Sequence, residues 1–262
     1  MRDLSTARSF LFVPATRPER IEKARASGAD VVIVDLEDAV PPQDKDEARE
    51  GLKAAIAADA SIMIRVNGEG TEWHEADIAL LDLPGVAGVM LPKAESVEAI
   101  EKLTKPIIPL IESACGLARA REIAAARGVV RLAFGTIDFM ADLGLPEEGQ
   151  AMAIYRAELA LASRLAGIAP VIDGVTTAID DAELIADETR RALAFAFGAR
   201  LCIHPRQIEA VHEAMKPSAA ALERARRIVD AADASDGGAI RLDGAMVDAP
   251  VVLQARAVLA RA

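Results

Sequence analysis

Aromatic side chains make up only 3% of the 262 residues, one Trp, one Tyr and six Phe, so the core has to be built from Ala, Val, Ile and Leu. Aliphatic residues of that kind suit parallel strands buried on both faces. Cysteine is as scarce: Cys115 and Cys202 are the two present, in neither a Cys-x-x-Cys nor a Cys/His spacing. That count excludes a disulfide framework, and two small core residues in a reducing compartment are expected. The three histidines, His74, His204 and His212, make no His-x-x-x-His or other ligand spacing, which argues against a zinc site. No apolar run approaches the ~18 residues of a membrane span, and the start Met1-Arg-Asp-Leu-Ser-Thr6 lacks the apolar stretch of a signal peptide. A cytoplasmic protein without membrane contact is expected. Basic residues are outnumbered, 30 against 41 acidic, for a formal charge of -11. Such a molecule repels a phosphate backbone, so no nucleic-acid partner is expected.

What is present is a regular alternation. Short apolar runs recur at residues 9–13, 31–34, 62–66, 87–91, 107–111, 129–134, 170–172 and 199–203, with helical segments between them. Thr16-Arg-Pro-Glu19 reads as a helix N-cap, and glycine stops fall at Gly28, Gly128, Gly167 and Gly198. Strand–helix alternation of this length fits an α/β fold of the (β/α)8 TIM-barrel type, which takes about 250 residues as one unit. A doubly wound sheet also alternates, but no Gly-x-Gly-x-x-Gly follows the first strand. Residues 1–210 are therefore assigned to the barrel. Residues 211–262 read as a helix, a turn-rich ribbon and a final helix, too short for an independent domain and suited to a lid or an oligomer contact.

The strand endings are polar: Asp35-Leu-Glu37-Asp38, Arg65-Val-Asn67, Pro92-Lys93, Glu112-Ser113, Asp138, Asp173-Gly174 and His204-Pro205. In a barrel they converge on the face that carries active sites. Glu112 and Asp138 are the leading metal ligands, since two carboxylates at neighbouring strand ends suit Mg2+, with Gly135 permitting close backbone approach between them. Arg65 ends an otherwise apolar strand, where a guanidinium needs an anion. A substrate carboxylate, an enolate oxygen and a structural bridge to Glu37 or Asp38 all stay open. Glu37 and Asp38 could equally hold metal-bound waters. For His204, a hydrogen-bonding role and a catalytic role also stay open. Arg17, Arg20, Lys23 and Arg25 follow the first strand; a solvated helix face is the plain reading, a landing place for phosphates the functional one.

Seven ordered segments carry a family resemblance: Arg8-Ser-Phe-Leu-Phe-Val-Pro14, Val34-Asp-Leu-Glu-Asp-Ala-Val40, Ile64-Arg-Val-Asn67, Leu91-Pro-Lys93, Leu110-Ile-Glu-Ser113, Phe134-Gly-Thr-Ile-Asp138 and Cys202-Ile-His-Pro205. Together they resemble the citrate lyase β-subunit-like (CitE-like) branch of the HpcH/HpaI aldolase superfamily, akin to malyl-CoA and citramalyl-CoA lyases. The resemblance implies a barrel that cleaves or forms a carbon–carbon bond between an acyl-CoA enolate and a 2-oxo acid. It implies Mg2+ on Glu112 and Asp138, and substrate contacts from Arg65 and Glu112. Backbone N–H groups at Gly135 and Thr136 are expected to stabilise the developing oxyanion. Met246-Val-Asp248-Ala-Pro250 is similar to the family's C-terminal motif, whose aspartate acts as acid/base in a neighbouring subunit's site, typically within a trimer. By itself Asp248 reads as a helix N-cap. The CoA phosphates would fall to Arg17, Arg20 and Lys23.

Rival readings are a class II aldolase of free 2-oxo acids, a subunit working beside an acyl carrier protein, and a scaffold with a vestigial site. The aldolase leans on a histidine near the second strand, where this chain has Asp35-Leu-Glu37-Asp38. Intact Arg65, Glu112 and Asp138 argue against the scaffold.

Overall fold

Eight parallel strands close on one another in a computed structural model that describes residues 3–58, 60–235 and 238–261. They are β1 (Ser9–Pro14), β2 (Val31–Asp35), β3 (Ile62–Arg65), β4 (Val86–Leu91), β5 (Ile107–Ile111), β6 (Arg131–Phe134), β7 (Ala169–Asp173) and β8 (Ala199–Cys202). Each pairs with its sequence neighbour, and β8 returns to β1, so the fold is a (β/α)8 barrel. The two-sided burial expected of aliphatic strands is evident in β2 and β5, where every residue is buried. Alternate residues such as Val31, Ile33, Ile108 and Leu110 fill the barrel interior with Phe10 and Leu201. Each such side chain contributes about 1.5–3 kcal/mol by leaving water. Arg131 lies buried at the start of β6, where its guanidinium donates to the Leu4, Ala7 and Pro170 carbonyls.

The connecting helices hold the loops above the strands. Helix Lys45–Ala55 buries Lys45, Ala48, Arg49 and Leu52 on one face. Lys45 Nζ donates to the Leu36 and Glu37 carbonyls at 2.7 and 2.8 Å, and Arg49 pairs with Asp77 at 3.0 Å. The acidic turn after β2 is thus tied to the helix that follows it. The N-cap expected at Thr16 is not made: Arg17 precedes a 3-10 turn, Pro18–Arg20, with no side-chain cap. Nor is Gly198 the left-handed stop. That conformation falls on Ala196 (φ +61°), while a Cβ on Gly198 would meet Pro170 Cβ at 3.0 Å. Cys202 is buried as expected, but Cys115 is exposed on helix Ala114–Ala118.

Two compact units divide the chain at residue 214, Met1–Ala214 and Met215–Ala262. The second contains helices Ala219–Asp233 and Ala249–Leu259 and the hairpin β9 (Ile240–Leu242) and β10 (Ala245–Val247). Asp243 and Gly244 both have positive φ, +50° and +80°, as a two-residue hairpin turn requires. Ala225, Ile228, Val247 and Ala255 form its core. Among the described residues, no helix is long and apolar enough to cross a membrane.

Candidate active site

Above the strand ends of the barrel lies a cavity of about 500 Å³. Its lining includes Phe12 from β1, Asp35 and Asp38 from the end of β2, Arg65 from β3, Glu112 after β5, and Gly135, Thr136 and Asp138 after β6. Arg65, Glu112, Asp138, Gly135, Thr136 and Asp38, scattered through the sequence, are therefore brought to one place.

Arg65 meets an anion within its own chain. Its Nε and Nη2 donate to the two oxygens of Asp35 at 2.7 and 2.6 Å, a bidentate fork. Nη1 lies 3.1 Å from Glu37 and 3.8 Å from Asp38, and the guanidinium stacks 4.7 Å from the Phe12 ring. The carboxylates, Asp35 foremost, outweigh burial and raise its pKa, so it is a permanent cation. The sequence points to Glu37 or Asp38 for a structural bridge, whereas the principal partner of Arg65 is Asp35. The register of β2 and β3 sets the two residues side by side, a signal present in the strand endings.

Glu112 is buried, with 4% of its surface exposed. Burial, then the neighbouring charges of Glu37 and Asp138, push its carboxyl up to about 8. Oε1 accepts the Lys93 N–H at 2.7 Å. Oε2 faces Gly135, where a Cβ would lie 2.6 Å away, so the approach of β6 to Glu112 depends on glycine. Asp138 is exposed in the first turn of helix Thr136–Leu143, and Thr136 is buried at its start. Glu37 is buried too, and desolvation raises its pKa; Lys93 Nζ donates to its Oε1 at 2.8 Å. In the sequence Lys93 stands out only as a strand ending.

The donor set fits a hard cation. Glu112 and Glu37 are buried carboxyls that desolvation holds above their usual range, although Arg65 and Lys93 lie close to Glu37. Gly135, lacking a Cβ, lets Glu112 Oε2 lie against its backbone, and the charge of Asp138 is near enough to act on the Glu112 carboxyl. Among the described residues no group of three or more His, Cys, Asp and Glu forms a cage. Two carboxylates, with the remaining positions left to water and substrate oxygens, match Mg2+ rather than zinc or calcium.

A second cavity, about 310 Å³, adjoins the first and shares Phe12, Pro14 and Ile203 with it. Arg20, Lys23 and His204 line it. Arg17 does not; it is exposed and lies 3.8 Å from Glu19. His204 Nδ1 accepts the Arg206 N–H at 3.2 Å, a local structural bond. Asp248, in the second unit, caps helix Ala249–Leu259 by accepting the Val251 N–H at 3.3 Å.

A (β/α)8 barrel with carboxylates and an arginine at its strand ends has the form of a barrel enzyme site. The family model for HpcH/HpaI aldolase/citrate lyase matches residues 8–205, and the chain belongs to that family, an enzyme of the lyase class. A citrate lyase subunit beta-like protein of Mycobacterium tuberculosis (strain ATCC 25618 / H37Rv) is 40% identical, over 97% of this chain and 94% of its own length. A (3S)-malyl-CoA thioesterase of Cereibacter sphaeroides (strain KD131) is 33% identical, over 97% of this chain and 94% of its own. The crystal structure of CitE from Mycobacterium tuberculosis in complex with magnesium, acetoacetate and coenzyme A is similar with a TM-score of 0.89. It is 37% identical, covering 98% of this chain and 99% of that one.

Proposed function

We propose that the protein is a Mg2+-dependent carbon–carbon lyase that splits a hydroxyacyl-CoA thioester of the malyl, citramalyl or citryl type into an acyl-CoA and a 2-oxo acid, or joins the two. The observation that carries this reading is the meeting of Glu112, Asp138 and Arg65 in one cavity beside a second lined by Arg20 and Lys23. Anionic phosphates of a CoA would lie toward the basic pair, and the reacting carbons toward the carboxylates.

In the cleavage direction a hydroxyl loses its proton, the carbon–carbon bond breaks, and its electron pair passes to the thioester as an enolate. Mg2+ held by Glu112 and Asp138 would supply Lewis acidity and a template for the oxygens of the acid fragment. Arg65 supplies fixed positive charge, oriented by Asp35 and Phe12 so that little reorganisation accompanies reaction. Glu37 and Asp38 hold its remaining amino group, and backbone N–H groups at Gly135 and Thr136 are assigned to the developing oxyanion. The proton that enters at the enolate carbon is assigned to Asp248 of a second copy, in a cytoplasmic homotrimer; the C-terminal motif supports that assignment.

The test is incubation of the purified chain with malyl-, citramalyl- and citryl-CoA and Mg2+, with products identified by mass. Release of a 2-oxo acid that EDTA abolishes is expected. Intact thioesters with all three substrates would overturn the proposal, and activity only with a carrier-protein thioester would favour a non-autonomous β subunit.

A further inference from the structure

Beyond the C-terminal end of β4 the backbone of Lys93 turns left-handed, with φ +47°. Residues with a Cβ rarely adopt that conformation, whereas glycine does so freely. Two contacts issue from it. The N–H donates to Glu112 Oε1 at 2.7 Å, and Nζ donates to Glu37 Oε1 at 2.8 Å. One residue thus ties together two buried carboxylates, one following β5 and one following β2. One lone pair of Oε1 is engaged by that N–H, whereas Oε2, the oxygen facing Gly135, accepts no hydrogen bond among the described residues and is the one more open to a cation.

We propose that Lys93 is the positioning residue of the cation site, and that its left-handed backbone decides which oxygen of Glu112 is offered. The inference rests on the reading of Glu112 and Asp138 as Mg2+ ligands. The backbone part of the role can be separated from the ammonium. Glycine and asparagine enter the left-handed region readily, alanine less so, and a β-branched valine is an outlier there. All four lack the ammonium, and all four keep the N–H. They differ in whether the N–H stays where Glu112 needs it.

The experiment is calorimetric titration of Mg2+ into full-length wild-type protein and the Lys93→Gly, Lys93→Asn, Lys93→Ala and Lys93→Val variants, with thermal melts alongside. The Gly and Asn variants are expected to bind Mg2+ within about threefold of each other, and the Val variant about tenfold or more weaker, with Ala between. A lysine that only supported the fold would move the melting temperature without ranking Mg2+ affinity by backbone preference. If the Val variant does not fold, the Gly and Ala variants carry the comparison. Equal dissociation constants across the series would overturn the inference and leave the metal site standing. Wild-type protein that takes up no Mg2+ would overturn both.

Discussion

Asp35 and Arg65 stand directly opposite each other on β2 and β3, and the carboxylate takes both Nε and Nη2 of the guanidinium. The fork fixes the plane of the cation against the Phe12 ring, and only Nη1 is left to the other acids and to an incoming substrate. A lysine keeps the charge but has neither the fork nor the flat face. Arg65→Lys is therefore expected to lower kcat/KM by about a hundredfold or more, as loss of a fixed oxyanion partner does. Breaking a buried pair also costs roughly 3–5 kcal/mol, so the melting temperature of Asp35→Ala should fall clearly. Steady-state kinetics and thermal melts check both; an Arg65→Lys enzyme with near wild-type kcat/KM would remove Arg65 from the chemistry.

Gly135 is the narrowest point of the site. A methyl there would sit 2.6 Å from both Cβ and Oε2 of Glu112, closer than any real contact of that kind. All three nearest atoms belong to the Glu112 side chain, and its Cβ cannot swing aside as its carboxylate can, so Glu112 as a whole has to shift. Gly135→Ala is expected to weaken Mg2+ binding by about tenfold or more and to cost roughly 1–3 kcal/mol of stability by overpacking. Calorimetry on the variant reads the first and denaturant unfolding the second. Unchanged Mg2+ affinity would mean that the cation does not use Oε2.

Much of this site could be read from the strand endings, because a parallel barrel sends every C-terminal end of a strand to one face. Arg65, Glu112, Gly135, Thr136 and Asp138 were legible as a polar residue, or its neighbour, just past an apolar run. Their partners were less so. Asp35 was hidden by belonging to the same acidic run as Glu37 and Asp38, and only the β2–β3 register distinguishes it. Lys93 was hidden because a positive φ on a non-glycine residue leaves no mark in the sequence. The Thr16 cap failed for a comparable reason: the chain enters its helix through a 3-10 turn that begins one residue later. Asp248, by contrast, is legible as the helix N-cap that it makes, because an acid just before Ala-Pro at a helix start is a local signal.

Glu112 makes the site costly without its cation. Its folded carboxyl titrates at about 8 against an ordinary 4.5, so the folded state holds a proton that the unfolded chain releases between those values. Stability from this group is therefore full below about pH 4.5, is lost as pH rises to about 8, and stays lost above it. At 1.36 kcal/mol per pKa unit the loss is at most about 5 kcal/mol. Glu112→Gln has no such titration. In EDTA the variant should melt above the wild type at pH 8.5 and close to it at pH 5, while Mg2+ raises the melting temperature of the wild type alone. A wild-type advantage at pH 8.5 in EDTA would contradict the burial argument.

Arg20 and Lys23 face a cavity that opens beside the carboxylates, on a molecule whose net charge is -11. Long-range attraction of a polyanion to the whole surface is therefore unfavourable, and any affinity for CoA phosphates has to come from local cations. Local attraction of this kind is screened by salt and absent from a substrate without phosphates. The double change Arg20→Glu with Lys23→Glu is expected to raise KM for a CoA thioester by about tenfold, with kcat held within about twofold, since such contacts bind ground and transition states alike. It should also flatten the salt dependence of KM. The same acyl group carried on N-acetylcysteamine lacks the nucleotide, so its KM should not change in the variant. Equal KM increases for the two thioesters would place Arg20 and Lys23 in support of the barrel mouth rather than in contact with the phosphates.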